Sequence, residues 1–256
     1  DMAIPKGTWY GNIFVMLRQL LVFTKPITNQ IFDGGVNLYC GMLAVLTMFL
    51  YLFVKEHPWK KFRKYVLLVL LVISFNHGTL NYIWHGMHDQ YGIPNRFSFV
   101  FIFVLLVMAY DAVQSITEID IYFVISSILL AGAFAFACKQ QAGATIGKYT
   151  LPASLVLLVI YGVTCCLRTS KKITHATYIS VIGSVCLVEL VANAAYGFSE
   201  NGYCHYKKYY KTSPAVTEAN VRVREMAEEE QAGFYRSELM NYTVLDLVSY
   251  THLRAH

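Results

Sequence analysis

Six apolar blocks, each about long enough to cross a bilayer, constrain the fold of this chain more than any other feature of its sequence. A helix rises 1.5 Å per residue, so roughly 17–25 apolar residues span a hydrocarbon core of about 30 Å. Only 14% of the 256 residues are charged and 56% are hydrophobic, which leaves too few charges to cover a soluble surface. We therefore predict an all-α, polytopic membrane protein with about six transmembrane helices.

The predicted spans follow one another with short polar connections. They cover residues 37–54, 65–82, 96–114, 121–137, 149–167 and 173–195. Residues 9–24 are apolar but shorter and include Arg18, which favours an interfacial or re-entrant helix. We predict three regions: 1–36 as an outer loop with this helix, 37–195 as the transmembrane region, and 196–256 as the start of an extracytoplasmic segment.

The distribution of Lys and Arg sets the predicted orientation, because cytoplasmic loops carry an excess of these residues. Two loops that fall on the same side of the six-span topology are basic, whereas the facing loops hold few cations. The cations in the two basic loops are Lys55, Lys60, Lys61, Arg63, Lys64, Arg168, Lys171 and Lys172. We therefore predict a multi-pass protein of the cell membrane with these loops in the cytoplasm and the C-terminal segment extracytoplasmic.

Several kinds of site and partner are not indicated. The net charge of +5 is modest and gives no reason to expect nucleic acid as a partner. The six cysteines lie mostly in apolar runs and lack a zinc-ligand spacing, so no metal site is predicted. No cofactor is evident, and a divalent metal stays open as an alternative. Residues 1–5 lack the features of a signal peptide, and we expect the chain to begin inside a longer protein.

The composition changes after the last span. Residues 203–210 are rich in Tyr and Lys, and residues 216–232 are compatible with a helix rich in Glu and Arg. Residues 244–256 continue no pattern of the chain, and 249–256 resembles translated adaptor sequence. We interpret 244–256 as a candidate non-native tail.

Polar side chains gather where the second span meets its outer loop. Asn76 and His77 lie at the outer end of that span, and Trp84, His85 and His88 follow. Polar groups at membrane depth are costly and are functional candidates by default, and imidazole acts as acid, base or ligand near neutral pH. The alternative is an interfacial belt in which these rings lie at the level of the lipid headgroups.

Arg96 is the sharpest candidate for a substrate ligand. It follows Pro94 at the start of the third span, where the helix dipole also favours an anion. A guanidinium in that place is suited to hold a phosphate or pyrophosphate with two hydrogen bonds. The alternative is a snorkelling arginine that anchors the helix to lipid headgroups.

Two further acidic residues lie within predicted spans. Glu189 and Asn193 are one turn apart on the sixth span and therefore share a helix face. Because Glu189 lies inside the outer boundary, we expect an ion pair with Arg96 or a hydrogen bond to His85, in a structural or a substrate-binding role. Asp111, near the cytoplasmic end of the third span, is expected to be solvated or paired.

Together these residues resemble a known family, the bacterial YfhO family of multi-pass membrane proteins. The likeness extends over about residues 28–240 and is most specific at 94–99. The residues that carry it are 34–41, Asn76, Trp84-His85-Gly86, 92–99, Glu189, Asn193 and 234–236.

The resemblance implies a function. The YfhO family is similar to polytopic glycosyltransferases that use a sugar carried on polyprenyl phosphate, and it is associated with sugar decoration of lipoteichoic acid or related envelope polymers in Gram-positive bacteria. The implied partners are membrane lipid, a polyprenyl-phosphate-linked sugar and a cell-envelope polymer as acceptor. Arg96 would hold the phosphate, and His85 and Trp84 would line the sugar or acceptor site.

The resemblance also marks what this chain lacks. The catalytic acid of that superfamily is expected in an early outer loop that precedes the residues present here, so the catalytic residue stays unknown and the chain alone is expected to be inactive. The predicted substrate-binding residues are Arg96, His85, Trp84, Asn76, Glu189 and Asn193.

Four functions stay open. A glycosyltransferase needs a cavity, open to lipid, that gathers Arg96, His85 and Glu189. A membrane O-acyltransferase also places a histidine beside a tryptophan, but it needs a channel from the cytoplasmic side to His85. A transporter or lipid flippase typically has inverted repeats and helices broken near the bilayer midplane, and neither is evident. A scaffold would leave the three side chains far apart.

Overall fold

The computed structural model confirms the all-α fold class. The residues that it describes are 7–27, 35–87, 95–142, 147–200, 218, 221–226 and 228. Within them the only β-structure is an isolated bridge between Trp9 and His77. The chain divides into two units, Asp1–Asn201 and Gly202–His256. In the second unit the described residues are helical, as predicted for 216–232, and the candidate tail lies outside the described residues.

The first unit is built from helices that run back and forth between two ends. Their bounds are α1 Ile13–Leu17, α2 Met42–Leu50, α3 Pro58–Asn76, α4 Gly78–Trp84, α5 Ser98–Gln114, α6 Ile121–Ala142, α7 Thr150–Thr169 and α8 His175–Glu200. Short 3₁₀ turns follow α1, α2 and α5 at Arg18–Leu20, Tyr51–Phe53 and Ile116–Glu118. We call the end that carries the two basic loops the basic end, and the other the opposite end.

Three helices in the described residues, α6, α7 and α8, have the length and apolar composition to cross a membrane. Two others, Met42–Phe53 and Ser98–Gln114, are apolar but shorter. Helix α8 continues to Glu200, past its predicted end. The helix of the first span starts later than the predicted residue 37, because residues 35–41 are not helical. A membrane protein is therefore confirmed, whereas the count of six spans stays a prediction.

The predicted second span is wrong as a single helix, because the chain leaves the helical conformation at His77. There φ is −118° and ψ is 119°, an extended conformation that separates α3 from α4. The N-terminal segment pairs with the break: the Tyr10 N–H donates to the Asn76 carbonyl at 2.9 Å, and the Gly78 N–H donates to the Thr8 carbonyl at 2.9 Å. Main-chain groups that lose helical partners are thereby satisfied.

The N-terminal helix is short and enters the bundle. Met16 and Leu20 are buried, and the next two residues, Leu21 and Val22, are fully covered as part of the same apolar core. Helix α1 packs against α6. Of the two alternatives for residues 9–24, this burial fits a re-entrant segment better than a helix that lies flat at the membrane surface.

An ionic cluster closes the basic end. Lys64 Nζ lies 2.8 Å from the Asp111 carboxylate and 3.5 Å from that of Glu56, and Lys60 Nζ lies 3.8 Å from Glu56. The Tyr51 hydroxyl accepts a hydrogen bond from Lys64 at 2.5 Å and contacts Glu56. Of the two alternatives predicted for Asp111, solvated or paired, the structure shows the paired one.

Helices α6 and α7 are in close contact at Gly162. This residue is buried on α7, and a Cβ atom placed there would lie 2.3 Å from Cδ1 and 2.6 Å from Cγ1 of Ile128. Small residues allow close approach of helices within a bilayer, where packing drives their association. The contact therefore requires glycine at 162.

Gly162→Ala is expected to destabilise the protein by about 1–3 kcal/mol, the usual cost of overpacking a core. Ile128 cannot easily move aside, because a β-branched side chain in a helix has one strongly preferred rotamer. Gly183→Ala on α8 is the matched control, since nothing lies within 4 Å of its Cβ position and alanine favours the helix. Thermal unfolding in detergent measures both, and equal melting temperatures would contradict the close contact.

Acidification should weaken the basic end. The hydrogen bond from Tyr51, together with the charges of Lys64 and Lys60, holds the pKa of Glu56 below its ordinary value, although burial opposes this. A carboxylate whose pKa is lowered on folding stabilises the folded state fully at a pH above its unfolded-state pKa, about 4.3 for glutamate. This stabilisation is lost as the pH falls through the lower pKa of the folded state. Glu56→Gln should lower the melting temperature at pH 7 and reduce its fall below about pH 4.

The control for this pH series is Glu118→Gln, which removes an exposed carboxylate that has no ion pair among the described residues. Its melting curve should keep the pH dependence of the wild type. If Glu56→Gln also kept that dependence unchanged, the carboxylate of Glu56 would not contribute to it.

Candidate functional site

Glu189 joins three helices near the opposite end. It lies on α8 and is 3% exposed. Its Oε1 accepts hydrogen bonds from the Tyr39 hydroxyl and the Met42 N–H, both at 2.5 Å, and its Oε2 accepts one from the Tyr161 hydroxyl at 2.6 Å. Because Met42 is the first residue of α2, the carboxylate satisfies an N–H that has no partner within the helix. It also lies at the positive end of the α2 dipole.

The three donors to Glu189 replace the ones that the sequence predicted. We expected Arg96 or His85, whereas the hydrogen bonds found among the described residues come from Tyr39, Met42 and Tyr161. Tyr161 lies within an apolar run, so no local pattern indicates that its hydroxyl faces a carboxylate. The alternative of a structural role for Glu189 is the one that this geometry favours.

Asn193 lies one turn beyond Glu189 and on the same face, as predicted. Its Oδ1 accepts a hydrogen bond from the Phe23 N–H at 2.8 Å, and the Thr150 hydroxyl donates to the Phe23 carbonyl at 2.8 Å. Phe23 has a φ of 55°, so these two bonds hold a residue in a sparsely populated conformation. Asn193 thus fixes the N-terminal segment against α7 and α8.

Asn76 has a similar role at the break between α3 and α4. Its side-chain amide donates to the Gly11 carbonyl at 2.8 Å, and its Oδ1 accepts from the Gly11 N–H at 3.1 Å. The side chain is 4% exposed. Both ends of the amide are therefore occupied by the main chain of the N-terminal segment.

His85 differs from these residues because one of its ring nitrogens has no hydrogen-bond partner among the described residues. Its Nδ1 lies 2.8 Å from the Asn81 carbonyl. A carbonyl only accepts, so Nδ1 carries the proton and Nε2 of the neutral ring presents a lone pair. Nε2 is buried and lacks a hydrogen-bond partner in the part of the chain that the structure describes. In the neutral imidazole this hydrogen bond selects the tautomer with the proton on Nδ1.

Aromatic rings bring His85 close to the start of α5. The rings of Trp84 and Phe97 stack with centroids 5.1 Å apart and an angle of 14°, and the His85 ring meets Phe97 edge-on at 5.8 Å. Trp84 remains 41% exposed, and Arg96, directly before Phe97, is exposed. We call Trp84, His85, Arg96 and Phe97 the α4–α5 cluster.

Asn81 and Asn95, two buried asparagines beside this cluster, were not predicted as site residues. The Asn81 side chain donates to Oδ1 of Asn95, and Nδ2 of Asn95 donates to the Gly35 carbonyl at 2.9 Å. Asn95 has a φ of 53°. A signal for Asn95 existed, because asparagine directly before a helix is one of the few residues that tolerate this conformation.

The six predicted site residues therefore fall into two groups. Trp84 and His85 contact Phe97, the residue directly after Arg96, whereas Asn76, Glu189 and Asn193 hold main-chain segments at the same end. His88 lies outside the described residues. Across the described ranges, no group of three or more His, Cys, Asp or Glu residues is arranged to hold a metal ion.

A polar groove lies at the basic end, on the far side from the α4–α5 cluster. Its volume is about 440 Å³. The residues that line it are Lys55, Thr117, Glu118, Ile119, Asp120, Ile121, Thr169 and Ser170. No predicted site residue contributes to this groove.

Glu189→Ala should destabilise the protein strongly, because it leaves two hydroxyls and the Met42 N–H without their acceptor. Each buried unsatisfied group costs about 1–3 kcal/mol. Glu189→Gln should cost less, since its carbonyl oxygen can serve Tyr39 and Met42 and its amide can donate to Tyr161. Ser184→Ala, at an exposed position of α8, is the control in thermal unfolding. A Glu189→Ala variant as stable as the control would contradict the anchoring role.

Comparison with known proteins supports the resemblance found in the sequence. A family model described as bacterial membrane protein YfhO matches residues 8–246. The comparisons with curated proteins and with solved structures found no match. The matched region contains the α4–α5 cluster, Glu189 and Asn193, and it extends beyond the 28–240 expected from the sequence. Since the match covers most of the chain, the protein belongs to the bacterial membrane protein YfhO family.

Proposed function

We propose that this chain is part of a membrane glycosyltransferase that transfers a sugar from polyprenyl phosphate to a cell-envelope polymer such as lipoteichoic acid. The α4–α5 cluster is the observation that supports this. It combines a cation, an exposed indole ring and an imidazole at one end of the bundle, and Nε2 of that imidazole has no hydrogen-bond partner within the described residues. The cation suits a phosphate, the indole ring suits the face of a sugar, and the imidazole nitrogen suits a hydroxyl group.

Arg96 is the proposed ligand of the carrier phosphate. In the transfer, the acceptor hydroxyl oxygen attacks the anomeric carbon, and the bond from that carbon to the phosphate oxygen breaks. The electron pair leaves with polyprenyl phosphate. A guanidinium binds phosphate oxygens with two parallel hydrogen bonds, and a donor aimed at developing charge lowers the barrier. The exposed Arg96 at the start of α5 fits a headgroup that reaches the protein from the lipid.

Trp84 and His85 are proposed to bind the sugar or the acceptor. The exposed part of the Trp84 ring offers an apolar surface to the face of a sugar ring, while Phe97 supports its stacked side. His85 Nε2 accepts a hydrogen bond from a hydroxyl group. The proton of the attacking hydroxyl goes to the acidic residue that the resemblance implies as the catalytic base.

The proposed orientation puts the basic end in the cytoplasm, following the positive-inside rule. The α4–α5 cluster then faces the outside of the cell, where envelope polymers are decorated. The C-terminal segment is extracytoplasmic in the same topology.

A transporter or lipid flippase is the second candidate, and the break at His77 favours it. Broken helices are typical of transporter sites. In this protein, however, the groups next to the break pair with Thr8 and Tyr10 of the N-terminal segment. A flippase would move polyprenyl-linked sugar across vesicles without forming a glycosidic bond, so product analysis separates the two functions.

The test is transfer of radiolabelled sugar from polyprenyl-phosphate donors to lipoteichoic acid in membranes, with the protein expressed from its complete gene. Arg96→Ala should reduce the rate roughly 10- to 100-fold, the loss of a charged hydrogen bond of about 1.5–3 kcal/mol. Arg96→Lys should have a transfer rate between those of the wild type and Arg96→Ala, because lysine keeps the charge but loses the bidentate geometry.

Arg63→Ala is the matched control for expression and insertion. It removes an arginine at the basic end, where the guanidinium bonds only to the carbonyl of Trp59 in the described region. Its transfer rate should equal that of the wild type. No transfer from any donor by correctly inserted wild-type protein would contradict the proposal and favour the transporter or scaffold alternatives.

A further inference from the structure

Two buried amides fasten three separate parts of the chain at the α4–α5 cluster. Asn81 lies on α4 and is 2% exposed, and Asn95 lies before α5 and is 1% exposed. The Asn81 amide donates to Asn95, which in turn donates to the carbonyl of Gly35 at 2.9 Å. A buried amide is tolerated only when its polar atoms are paired, so this arrangement favours a single geometry.

Asn95 determines where α5 begins. Its carbonyl accepts a hydrogen bond from the Ser98 N–H at 2.9 Å, and its φ of 53° turns the chain into the helix. Arg96 and Phe97 are the next two residues. Because the Asn95 side chain is held on two sides, the directions in which these two residues leave the turn are also fixed.

Asn81 links the same geometry to His85. Its main-chain carbonyl lies 2.8 Å from His85 Nδ1 and accepts the His85 N–H at 3.1 Å, while its side chain binds Asn95. The imidazole and the start of α5 are therefore attached to one residue. Helix α4 has only seven residues and is separated from α3 by the break at His77, so continuity with α3 does not fix its position.

Gly35, the third residue in this series of hydrogen bonds, lies in a segment that is bound to Glu189. Gly35 opens the non-helical segment 35–41 that contains Tyr39 and ends at α2, where the Met42 N–H and Tyr39 hydroxyl bind Glu189. The amide pair thus attaches the cluster to a segment that is itself anchored on α8.

We propose that Asn81 and Asn95 form a positioning pair for the α4–α5 cluster. The pair holds Trp84 at the end of α4 and His85 directly after it in register with Arg96, which precedes α5, and neither amide touches substrate. An apolar pair would fill the same space without selecting one register, whereas fully paired buried amides specify it. The proposal rests on the proposed function only for the consequence in catalysis, since the geometric consequence exists without it.

The geometric consequence is measured by pulsed electron–electron spin resonance in nanodiscs. Spin labels on Ile83→Cys and Phe99→Cys, both exposed, report the distance between α4 and α5 in a background with the native cysteines replaced. Asn95→Gly keeps the left-handed backbone available but removes both amide bonds. The distance distribution should be narrow in wild type and clearly broader in Asn95→Gly.

Gln19→Ala is the matched control. Gln19 is a buried amide, 3% exposed, which donates to the main-chain carbonyl of Lys25 at 3.1 Å and lies outside the cluster. It should lower the melting temperature without broadening the distance distribution. An unchanged distribution in Asn95→Gly overturns the positioning role, whatever the protein catalyses.

Asn95→Asp provides a second variant if the glycine variant does not fold. Aspartate keeps an acceptor for Asn81 but cannot donate to Gly35, so the distribution should broaden less than in Asn95→Gly. In a cycle with Asn81→Ala, the double variant should be no broader than either single variant, because the two residues act as a unit. Additive broadening would overturn the pair.

The catalytic consequence is measured in the sugar-transfer assay. Asn95→Gly should lower kcat at least about 10-fold, because a misplacement of about 1 Å costs of this order or more, with a smaller change in KM for the polyprenyl-phosphate donor. Gln19→Ala should keep kcat. If the distance distribution broadens in Asn95→Gly but the wild type transfers no sugar, the proposed function is wrong and the positioning pair stands. If the wild type transfers sugar and Asn95→Gly has the same kcat, the role of the pair in catalysis is overturned.

Discussion

The need to pair every main-chain polar group at membrane depth determines most of this structure. Within a bilayer an unpaired N–H or carbonyl costs several kcal/mol, and only the interior of a helix pairs its own groups. This chain leaves the helical conformation at several points of the opposite end, and a polar side chain serves each one. The pairs are Glu189 with Met42, Asn193 with Phe23, Asn76 with Gly11, and Asn95 with Gly35.

This constraint also explains why the candidate site lies at one end. The basic end has short connections closed by ion pairs of Lys64 with Asp111 and Glu56. The opposite end collects the non-helical segments, and functional groups are commonly placed on such segments by a rigid scaffold. Trp84 and His85 end α4, and Arg96 precedes α5. Their side chains are therefore presented by termini of helices whose positions the surrounding amides fix.

The sequence predicted what depends on local pattern. Apolar length located α6, α7 and α8, spacing placed Glu189 and Asn193 on one face, and the position of Asp111 near a span end indicated a solvated or paired charge. It missed what depends on distant partners. The break at His77 contains no proline and is stabilised by residues that lie almost seventy positions earlier, at Thr8 and Tyr10. The donors to Glu189 come from the non-helical segment 35–41 and from helices α2 and α7, and they equally lack a local signal.

His85 gives the strongest physical argument for a functional rather than a purely structural cluster. The neighbouring amides of Asn81 and Asn95 are hydrogen-bonded, as are Asn76 and Glu189. The buried Nε2 of His85 has no such partner in the described ranges, and an unsatisfied buried nitrogen costs about 1–3 kcal/mol. A scaffold gains nothing from that cost, because a phenylalanine would pack against Phe97 without it. A hydroxyl group bound at Nε2 would recover this cost, which supports the proposed role of His85 in binding the sugar or the acceptor.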